Sequence, residues 1–428
     1  MLGRDDGSHA VNFMKLSNQP PKGTADWLPA EFKIRQYIFS VWRQVCQRYG
    51  YEEYLTPLVE SAEIYRAKSG EDVGGKELVT FKDLGGRELS IRPEMTPSVT
   101  RLVSQIYNSA AKPIRWFSIA NFMRNEKPQR GRNREFWQLN CDIFGSNSLA
   151  AEVEILQLAL DLMLEFKPPK NSFILKISSR VLLKELFSKL KISDKQATAV
   201  ARLLDKWQKL SPGAVSESLT RVGLAKEQIK SLIAFMNNQQ LPDTPGGADL
   251  QFIFQALSDL GYKNYIKYDP TVVRGFDYYD GMVFEIFDNH KNNSRALFGG
   301  GRYNGLGALF GGQSWPAVGF APGDETMKLF LASWGLLNKI TKDAGRDIYY
   351  LPLLEASLTK AVWRLAKTLR QSGQQVELGL EPQKIGKALD YANKKGLSGV
   401  IIFGQEEAKK KMYKIKNMAS GKETRVNL

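Results

Sequence analysis

One stretch, residues 124–145, restricts the possible folds of this chain more than any other. It reads R-N-E-K-P-Q-R-G-R-N-R-E-F-W-Q-L-N-C-D-I-F-G. Pro128 and Gly131 predict a turn, and the alternating run from Phe136 to Phe144 predicts a strand after it. The stretch is therefore predicted to form a β-hairpin whose turn is basic.

Arginine carries almost all of the positive charge of this hairpin. Its arginines are Arg124, Arg130, Arg132 and Arg134, with Lys127 and the carboxylates Glu126 and Glu135 among them. Basic loops are usually only solvated surface. Two observations favour an anion site instead. A guanidinium binds phosphate oxygens in pairs, which suits polyphosphate better than a lone lysine does, and Gln138 and Asp142 are expected on one face of the strand.

Chain length and net charge limit the kinds of protein that this chain can be. A chain of 428 residues is too long for one core and predicts two or three domains. No apolar run reaches membrane-spanning length and the N-terminus has no signal-like core, which predicts a cytoplasmic protein without a membrane partner. The net charge of +15 favours a polyanionic partner, nucleic acid first, with solubility alone as the alternative.

Cysteine and histidine usage argues against several kinds of chemistry. Cys46 and Cys141 have no metal-ligand spacing, so a zinc site or a disulfide framework is not expected. His9 and His290 are far apart in the sequence, which gives little basis for a histidine-based mechanism. The sequence leaves the ligands of any metal unknown.

Changes in pattern along the chain predict its domains. Strand and helix signals alternate over most of the chain, whereas residues 178–238 show only helical spacing and many lysines. The basic face of that segment either contacts RNA or is merely solvated. The predicted parts are a disordered extension (1–21), a main domain (22–177 and 239–335), a helical insertion (178–238), a linker (336–345) and a small α/β domain with a largely parallel sheet (346–428).

Two further motifs carry candidate ligand groups. The run R-P-E-M-T ends at Thr96 and places Glu94 and Thr96 just past a predicted strand, where ligand groups often gather. Thr96 is equally suited to cap the next helix. The run R-G-F-D-Y-Y, residues 274–279, clusters polar and aromatic side chains beside a glycine, which suits a pocket for a flat polar ligand or an ordinary turn.

A glycine run, G-G-G-R-Y-N at residues 299–304, follows these motifs. Three glycines allow a backbone to approach a ligand without a Cβ in the way. A flexible turn between strands is the alternative.

These motifs together resemble a known family. Residues 124–138 resemble motif 2 of the class II aminoacyl-tRNA synthetases. The closing Q-L-N-C-D-I-F-G and the run R-G-F-D-Y-Y are similar to histidyl-tRNA synthetases in particular. The resemblance implies an α+β fold: an antiparallel-sheet catalytic domain with a helical insertion, and a C-terminal α/β anticodon-binding domain. It also implies activation of histidine with ATP and Mg²⁺, transfer to tRNA(His), and a homodimer built on the helix and strand between Glu31 and Glu60.

The resemblance implies a role for each matching residue. Arg124 and Arg274 are the expected catalytic residues, and both contact the α-phosphate. The residues expected to bind histidine are Glu94, Thr96, Gln138, Asp142, Arg274, Tyr278 and Tyr279. Those expected to bind ATP are Arg124, Glu126, Arg132 and Glu325.

One position departs from the family pattern. In the run W-P-A-V-G-F-A-P-G-D-E-T-M, Thr326 stands where motif 3 has an arginine that stacks on adenine and pairs with the γ-phosphate. Threonine has neither the charge nor a planar face. Lys328 is expected to point away from position 326 on the helix. An alternative is therefore a synthetase-like histidine-sensing or tRNA-binding protein, such as the regulatory subunit of ATP phosphoribosyltransferase.

Overall fold

The computed structural model describes residues 17–67, 69, 72–204, 207, 210–273, 278–293, 295–311, 313–337 and 348–428. The chain divides into two compact units, residues 1–337 and residues 338–428. Arg274, most of the predicted N-terminal extension and most of the predicted linker lie outside the described residues. Within the described part, every helix is too short or too polar to span a membrane.

Helices of the first unit follow the apolar periodicity of the sequence. In the first one, Ile38, Trp42 and Val45 recur at helical spacing and are buried, and Pro29 stands at its start. The α-helices are α1 (Pro29–Arg48), α2 (Ala62–Arg66), α3 (Thr96–Ile106), α4 (Leu149–Glu165), α5 (Arg180–Lys189), α6 (Asp194–Leu204), α7 (Pro212–Arg221), α8 (Lys226–Asn237), α9 (Pro245–Asp259) and α10 (Asp324–Ser333).

Strands of the first unit form an eight-stranded and a three-stranded sheet. They are β1 (Glu52–Glu53), β2 (Val59–Ser61), β3 (Val79–Lys82), β4 (Glu88–Ile91), β5 (Ile114–Met123), β6 (Glu135–Phe144), β7 (Phe173–Ser179), β8 (Ile266–Tyr268), β9 (Met282–Asp288), β10 (Ala296–Arg302) and β11 (Ala317–Phe320). The large sheet has the order β1-β5-β6-β11-β10-β9-β7-β8, and the small one β2-β4-β3. Only the outer pairs β1/β5 and β7/β8 are parallel in the large sheet.

Alternation along β6 gives the large sheet one face covered by α1, α4 and α10, called the helix-covered face, and an opposite face, called the open face, on which α3 packs. Trp137 packs on Phe39 of α1, and Cys141 Sγ lies 3.2 Å from Cys46 Sγ of the same helix. α4 and α10 also contact β6. Since successive side chains point to opposite faces, Phe136, Gln138, Asn140 and Asp142 lie on the other face. That face carries the candidate site.

A buried ion pair fastens α4 to the helix-covered face. Arg302 of β10 donates to Glu152 of α4 through Nε (2.7 Å) and Nη2 (2.6 Å). Both side chains are buried, so the pair needs this two-point geometry to offset its desolvation. Arg302 therefore holds its strand in place rather than facing the site.

α5 to α8 pack on one another around an apolar core of their own, which includes Phe187, Leu204, Leu219 and Leu232. No strand lies between residues 180 and 237 among those that the structure describes. The helical periodicity of the sequence therefore predicted the secondary structure of this segment correctly.

The second unit has a five-stranded sheet with helices. Its strands are β12 (Ile348–Leu351), β13 (Gln375–Leu378), β14 (Gly399–Ile402), β15 (Met412–Asn417) and β16 (Glu423–Asn427), in the order β13-β12-β14-β15-β16. Its α-helices cover Thr359–Gln371, Ile385–Lys395 and Gln405–Lys409. The prediction of a largely parallel sheet was wrong for its last part, because β15 and β16 are antiparallel to their neighbours. The connection before β15 is too short for the crossover that a parallel neighbour requires.

Candidate active site

Asp142 lies in the middle of the open face of the large sheet, beside two glycines. Its neighbour across β11 is Gly319, which in turn pairs with Gly301 of β10. A Cβ at Gly319 would lie 2.0 Å from Asp142 Oδ1. The carboxylate therefore occupies the space that a side chain at 319 would need, and the backbone next to it stays bare.

Burial changes the proton affinity of this carboxylate. Asp142 is almost fully buried, and the loss of hydration raises its pKa to about 7. Tyr303 opposes the shift, since its hydroxyl donates a hydrogen bond to Asp142 Oδ1. A nearby cation would stabilise the charged form and lower this pKa again. Asp142 is therefore suited to bind a group that carries or donates a proton.

Glu94 is a second buried carboxylate, separated from Asp142 by a cluster of tyrosines. Tyr278 donates a hydrogen bond of 3.0 Å to Glu94 Oε2. The Tyr278 ring lies 4.8 Å from the Tyr279 ring and 5.7 Å from the Tyr303 ring, measured between centroids. Hydrogen bonds and ring contacts thus connect Glu94 to Asp142. Two carboxylates among phenol rings suit a small ligand with a cationic group and a flat polar ring.

Arg124 extends this constellation toward the hairpin turn. Its Nε donates to the carbonyl oxygen of Pro93, next to Glu94, at 3.0 Å. Its guanidinium lies 5.1 Å from the centre of the Phe136 ring. Arg124 is half-buried at the end of β5, so its charge lies beside the carboxylate pocket.

The basic turn beyond Arg124 is a tight hairpin. Gln129 and Arg132 exchange backbone hydrogen bonds of 2.9 Å in both directions, and Gly131 has a φ of 75°. That φ is strained for any other residue. Arg132 Nη1 lies 3.1 Å from Glu126 Oε2, and the arginine is half exposed whereas the glutamate is buried. Glu126 thereby positions one arginine of the turn.

A metal site made of protein ligands alone is not found in the described part of the chain. No group of three or more His, Cys, Asp or Glu side chains there has the arrangement for a metal ion. Magnesium in nucleotide sites typically binds through phosphates and one or two carboxylates. The single carboxylate of Glu126 at the arginine turn fits that mode.

Comparisons with known proteins show which proteins the chain is similar to. A sequence model described as Histidyl-tRNA synthetase matches residues 23–327, and one for an anticodon binding domain matches residues 347–428. The chain is 42% identical over 415 residues to a histidine–tRNA ligase of Leptospira biflexa, covering 95% of this chain and 94% of that protein. It is 36% identical over 422 residues to a histidine–tRNA ligase of Pyrococcus horikoshii, covering 95% and 96%.

The chain belongs to the histidyl-tRNA synthetase family. The predicted α+β fold of this family, with its C-terminal anticodon-binding domain, is confirmed. The crystal structure of a histidyl-tRNA synthetase from Nostoc sp. PCC 7120 has a TM-score of 0.78 at 22% identity, covering 96% of this chain and 97% of that one. A Bacillus halodurans structure titled ATP phosphoribosyltransferase regulatory subunit/histidyl-tRNA synthetase has a TM-score of 0.71 at 21% identity, covering 88% and 97%. At these identities the likeness concerns the fold alone.

Thr326 has a structural role in this member of the histidyl-tRNA synthetase family. Its hydroxyl lies 2.9 Å from the carbonyl oxygens of both Leu297 and Gly323, so it ties the start of α10 to β10. Lys328 Nζ lies 4.8 Å from the centre of the Trp27 ring. The ammonium of Lys328 is therefore engaged elsewhere, in the direction that its helical spacing predicted.

Glu325 lies in a different cluster from the other predicted ATP ligands. Its carboxylate is 2.8 Å from Arg35 Nη2 of α1, and Arg35 Nε is 2.6 Å from Asp324 Oδ2. Burial raises the pKa of Asp324 to about 6, and the Arg35 charge opposes that shift. The Arg35 guanidinium also lies 3.4 Å from the Trp27 ring centre. An ATP-binding role for Glu325 stays a prediction that its contacts do not support.

The remaining predicted residues take separate places around the open face. Gln138 lies between Phe136 and Asn140 on that face, and its Nε2 donates to the carbonyl oxygen of Ala321 at 3.4 Å. Thr96 is the first residue of α3, whose N-cap is Met95 without a side-chain bond. The alternative that Thr96 caps the helix was therefore wrong. A role of Thr96 in histidine binding stays a prediction.

Two residues of the site were missed from the sequence. Tyr303 is the hydrogen-bond partner of Asp142, and Gly319 provides the space for that carboxylate. The glycine run before Tyr303 was noticed, but which tyrosine reaches Asp142 depends on strand order. Gly319 stands in the run that resembles motif 3, but its closeness to Asp142 depends on the pairing of β11 with β6.

Proposed function

We propose that this chain is a histidine–tRNA ligase, which activates histidine with ATP to histidyl-adenylate and transfers it to the 3′ end of tRNA(His). The observation that carries the proposal is the pair of buried carboxylates, Glu94 and Asp142, connected through tyrosines and lying beside Arg124. Histidine has a cationic amino group and an imidazole ring, which match these two acceptors. The relatives named histidine–tRNA ligase support the same activity.

The first step needs positioning more than covalent chemistry. A carboxylate oxygen of histidine attacks the α-phosphorus of ATP, the bond between that phosphorus and the bridging oxygen to the β-phosphate breaks, and pyrophosphate leaves with the electron pair. Arg124 would stabilise the charge that develops on the α-phosphate oxygens. Glu94 would hold the amino group, and Asp142 with Tyr303 would hold the ring, so that the attacking oxygen is aligned. Arg274 is proposed to share the α-phosphate.

Magnesium would be bound mainly by the ATP phosphates, with Glu126 as the protein carboxylate nearest to the arginine turn. When bound, it neutralises phosphate charge. Arg132 would leave or share Glu126 when the phosphates arrive. In the second step, a hydroxyl of the terminal tRNA adenosine attacks the activated carbonyl carbon and AMP leaves.

Further parts of the assignment belong to the same proposal. The division into a catalytic domain, a helical insertion and an anticodon-binding domain follows the bounds given above. A homodimer would cover apolar side chains exposed near β1 and β2, such as Leu55 and Leu58, and sedimentation equilibrium tests it. A cytoplasmic location is also part of the proposal. Nothing in the comparisons favours the regulatory alternative.

Histidine-dependent exchange between ATP and pyrophosphate tests the proposal directly. Exchange with histidine, and not with other amino acids, is the expected result. A chain that binds histidine in calorimetry but catalyses no exchange would overturn the ligase proposal and favour a histidine-sensing protein.

A further inference from the structure

Arg295 lies at the end of the large sheet where the arginine hairpin, the start of β10 and the start of α10 meet. It directly precedes β10 and is exposed. Its Nη2 donates a hydrogen bond of 2.6 Å to Gln129 Oε1, in the hairpin turn. Arg295 is thus joined through its side chain to the loop that carries Arg130 and Arg132.

Thr326 lies in the same neighbourhood. Its hydroxyl contacts the carbonyl oxygen of Leu297, two residues after Arg295. The tip of the hairpin lies close as well, because a Cβ at Gly131 would be 2.8 Å from Leu329 Cδ1, one helical turn beyond Thr326. Arg295 and Thr326 therefore belong to one rim at the end of the sheet.

The charge of Arg295 is not neutralised by a carboxylate among the described residues. Its hydrogen-bond partner there, Gln129, is a neutral amide. Many other arginines of the first unit face acids; they include Arg35, Arg43, Arg101, Arg115, Arg132 and Arg302. An exposed guanidinium that is held by an amide, and not by an acid, has its remaining donors available for an anion.

We propose that Arg295 binds the terminal phosphates of ATP and supplies the cation that Thr326 lacks. Gln129 holds the guanidinium at the hairpin, so the turn arginines and Arg295 approach the β- and γ-phosphates from two different connections. This inference rests on the proposed ATP-dependent activation of histidine.

Binding of nucleotides that differ in phosphate number tests the role of Arg295 without catalysis. In calorimetry, Arg295→Ala is expected to weaken Mg-ATP binding about tenfold or more, to leave AMP binding unchanged and to leave histidine binding unchanged. Arg295→Lys is expected to retain part of the affinity. Lys291→Ala, at an exposed lysine of the same β9–β10 connection, is the matched control and is expected to bind all three ligands normally.

Equal losses of ATP and AMP affinity would indicate a general structural defect and overturn the inference, as would unchanged ATP binding. Thr326→Arg in the Arg295→Ala background is expected to recover most of the Mg-ATP affinity. If Mg-ATP affinity is not recovered, the inference that Arg295 replaces the cation missing at position 326 is overturned. Absence of histidine-dependent exchange in the unmodified chain would instead overturn the proposed function, since nucleotide binding is measured separately.

Discussion

Asp142 and Glu94 are buried and each accepts a hydrogen bond from a tyrosine, whereas Arg130, Arg132 and Arg295 are exposed on connections at the end of the same sheet. The region around Asp142 and Glu94, the carboxylate side, has its polar groups fixed before any ligand arrives. On the other side, the arginine side, Arg132 is held by a contact to Glu126 and Arg295 by a contact to Gln129. Under the proposed function, the groups that would bind the amino acid are preorganised, while those that would bind the phosphates adapt to their ligand.

Arg124 stands between the two regions, and its loss has the largest expected effect. Arg124→Ala is expected to lower the rate of histidine-dependent pyrophosphate exchange by about 10²- to 10³-fold, which is the usual cost of removing one donor to a developing negative charge. Histidine affinity in calorimetry is expected to stay within about threefold, because Glu94 and Asp142 keep their tyrosine partners. Equal losses of rate and histidine affinity would contradict the separation of the two regions.

Gly319→Ala tests how rigid the carboxylate side is. The new Cβ would lie 2.0 Å from Asp142 Oδ1 and 2.6 Å from the carbonyl oxygen of Cys141. Overpacking of this kind costs about 1–3 kcal/mol in the free energy of unfolding, and histidine binding is expected to be lost with the carboxylate position. Urea unfolding and calorimetry measure both. Gly305→Ala, where no atom lies within 4 Å of the new Cβ, is the control, and an equal effect there would refute the steric explanation.

Asp142→Asn compares a neutral acceptor with the buried carboxylate. The folded-state pKa of about 7 lies above the ordinary value of 3.8, so the ionised form destabilises the fold increasingly as the pH rises between these values. Asparagine is expected to become the more stable variant by about 2 kcal/mol at pH 8, because it carries no charge that burial has stripped of water.

The advantage of asparagine is expected to shrink toward pH 4 and to stop growing above about pH 7, as measured by urea unfolding at each pH. Histidine affinity is expected to fall in the same variant. Asp259→Asn, at an exposed carboxylate, is the matched control. A stability difference at Asp142 that stays constant with pH would mean that its pKa is not raised.

Arg132→Ala has the smallest expected effect on stability, because its guanidinium, which pairs with Glu126, is half exposed. Such pairs contribute roughly 0–1 kcal/mol. Its Tm in thermal unfolding is expected to change by less than about 3 °C, while the KM for ATP rises a few-fold and the KM for histidine does not change. A rise in the KM for histidine would show that the two regions are coupled through Glu126.

The secondary structure around the site could be predicted from the sequence, because local patterns decide it. The alternation from Phe136 to Phe144 predicted β6 and the shared face of Gln138 and Asp142. Pro57 lies between β1 and β2, because a proline interrupts the hydrogen bonding of a strand. The residues whose chemistry stands out, such as Arg124 and Glu94, were found for the same reason.

The pairing of side chains between distant elements needed the tertiary structure. Tyr303 reaches Asp142, Arg35 engages Asp324 and Glu325, and Arg295 meets Gln129 only because of strand order and helix packing. The partners in these pairs are between 150 and 300 residues apart in sequence. The amino-acid sequence by itself therefore determined the elements, the family and most of the candidate residues, since these depend on local patterns. Which carboxylates are buried and which arginines keep their charge depends on packing between elements, and only the tertiary structure decided it.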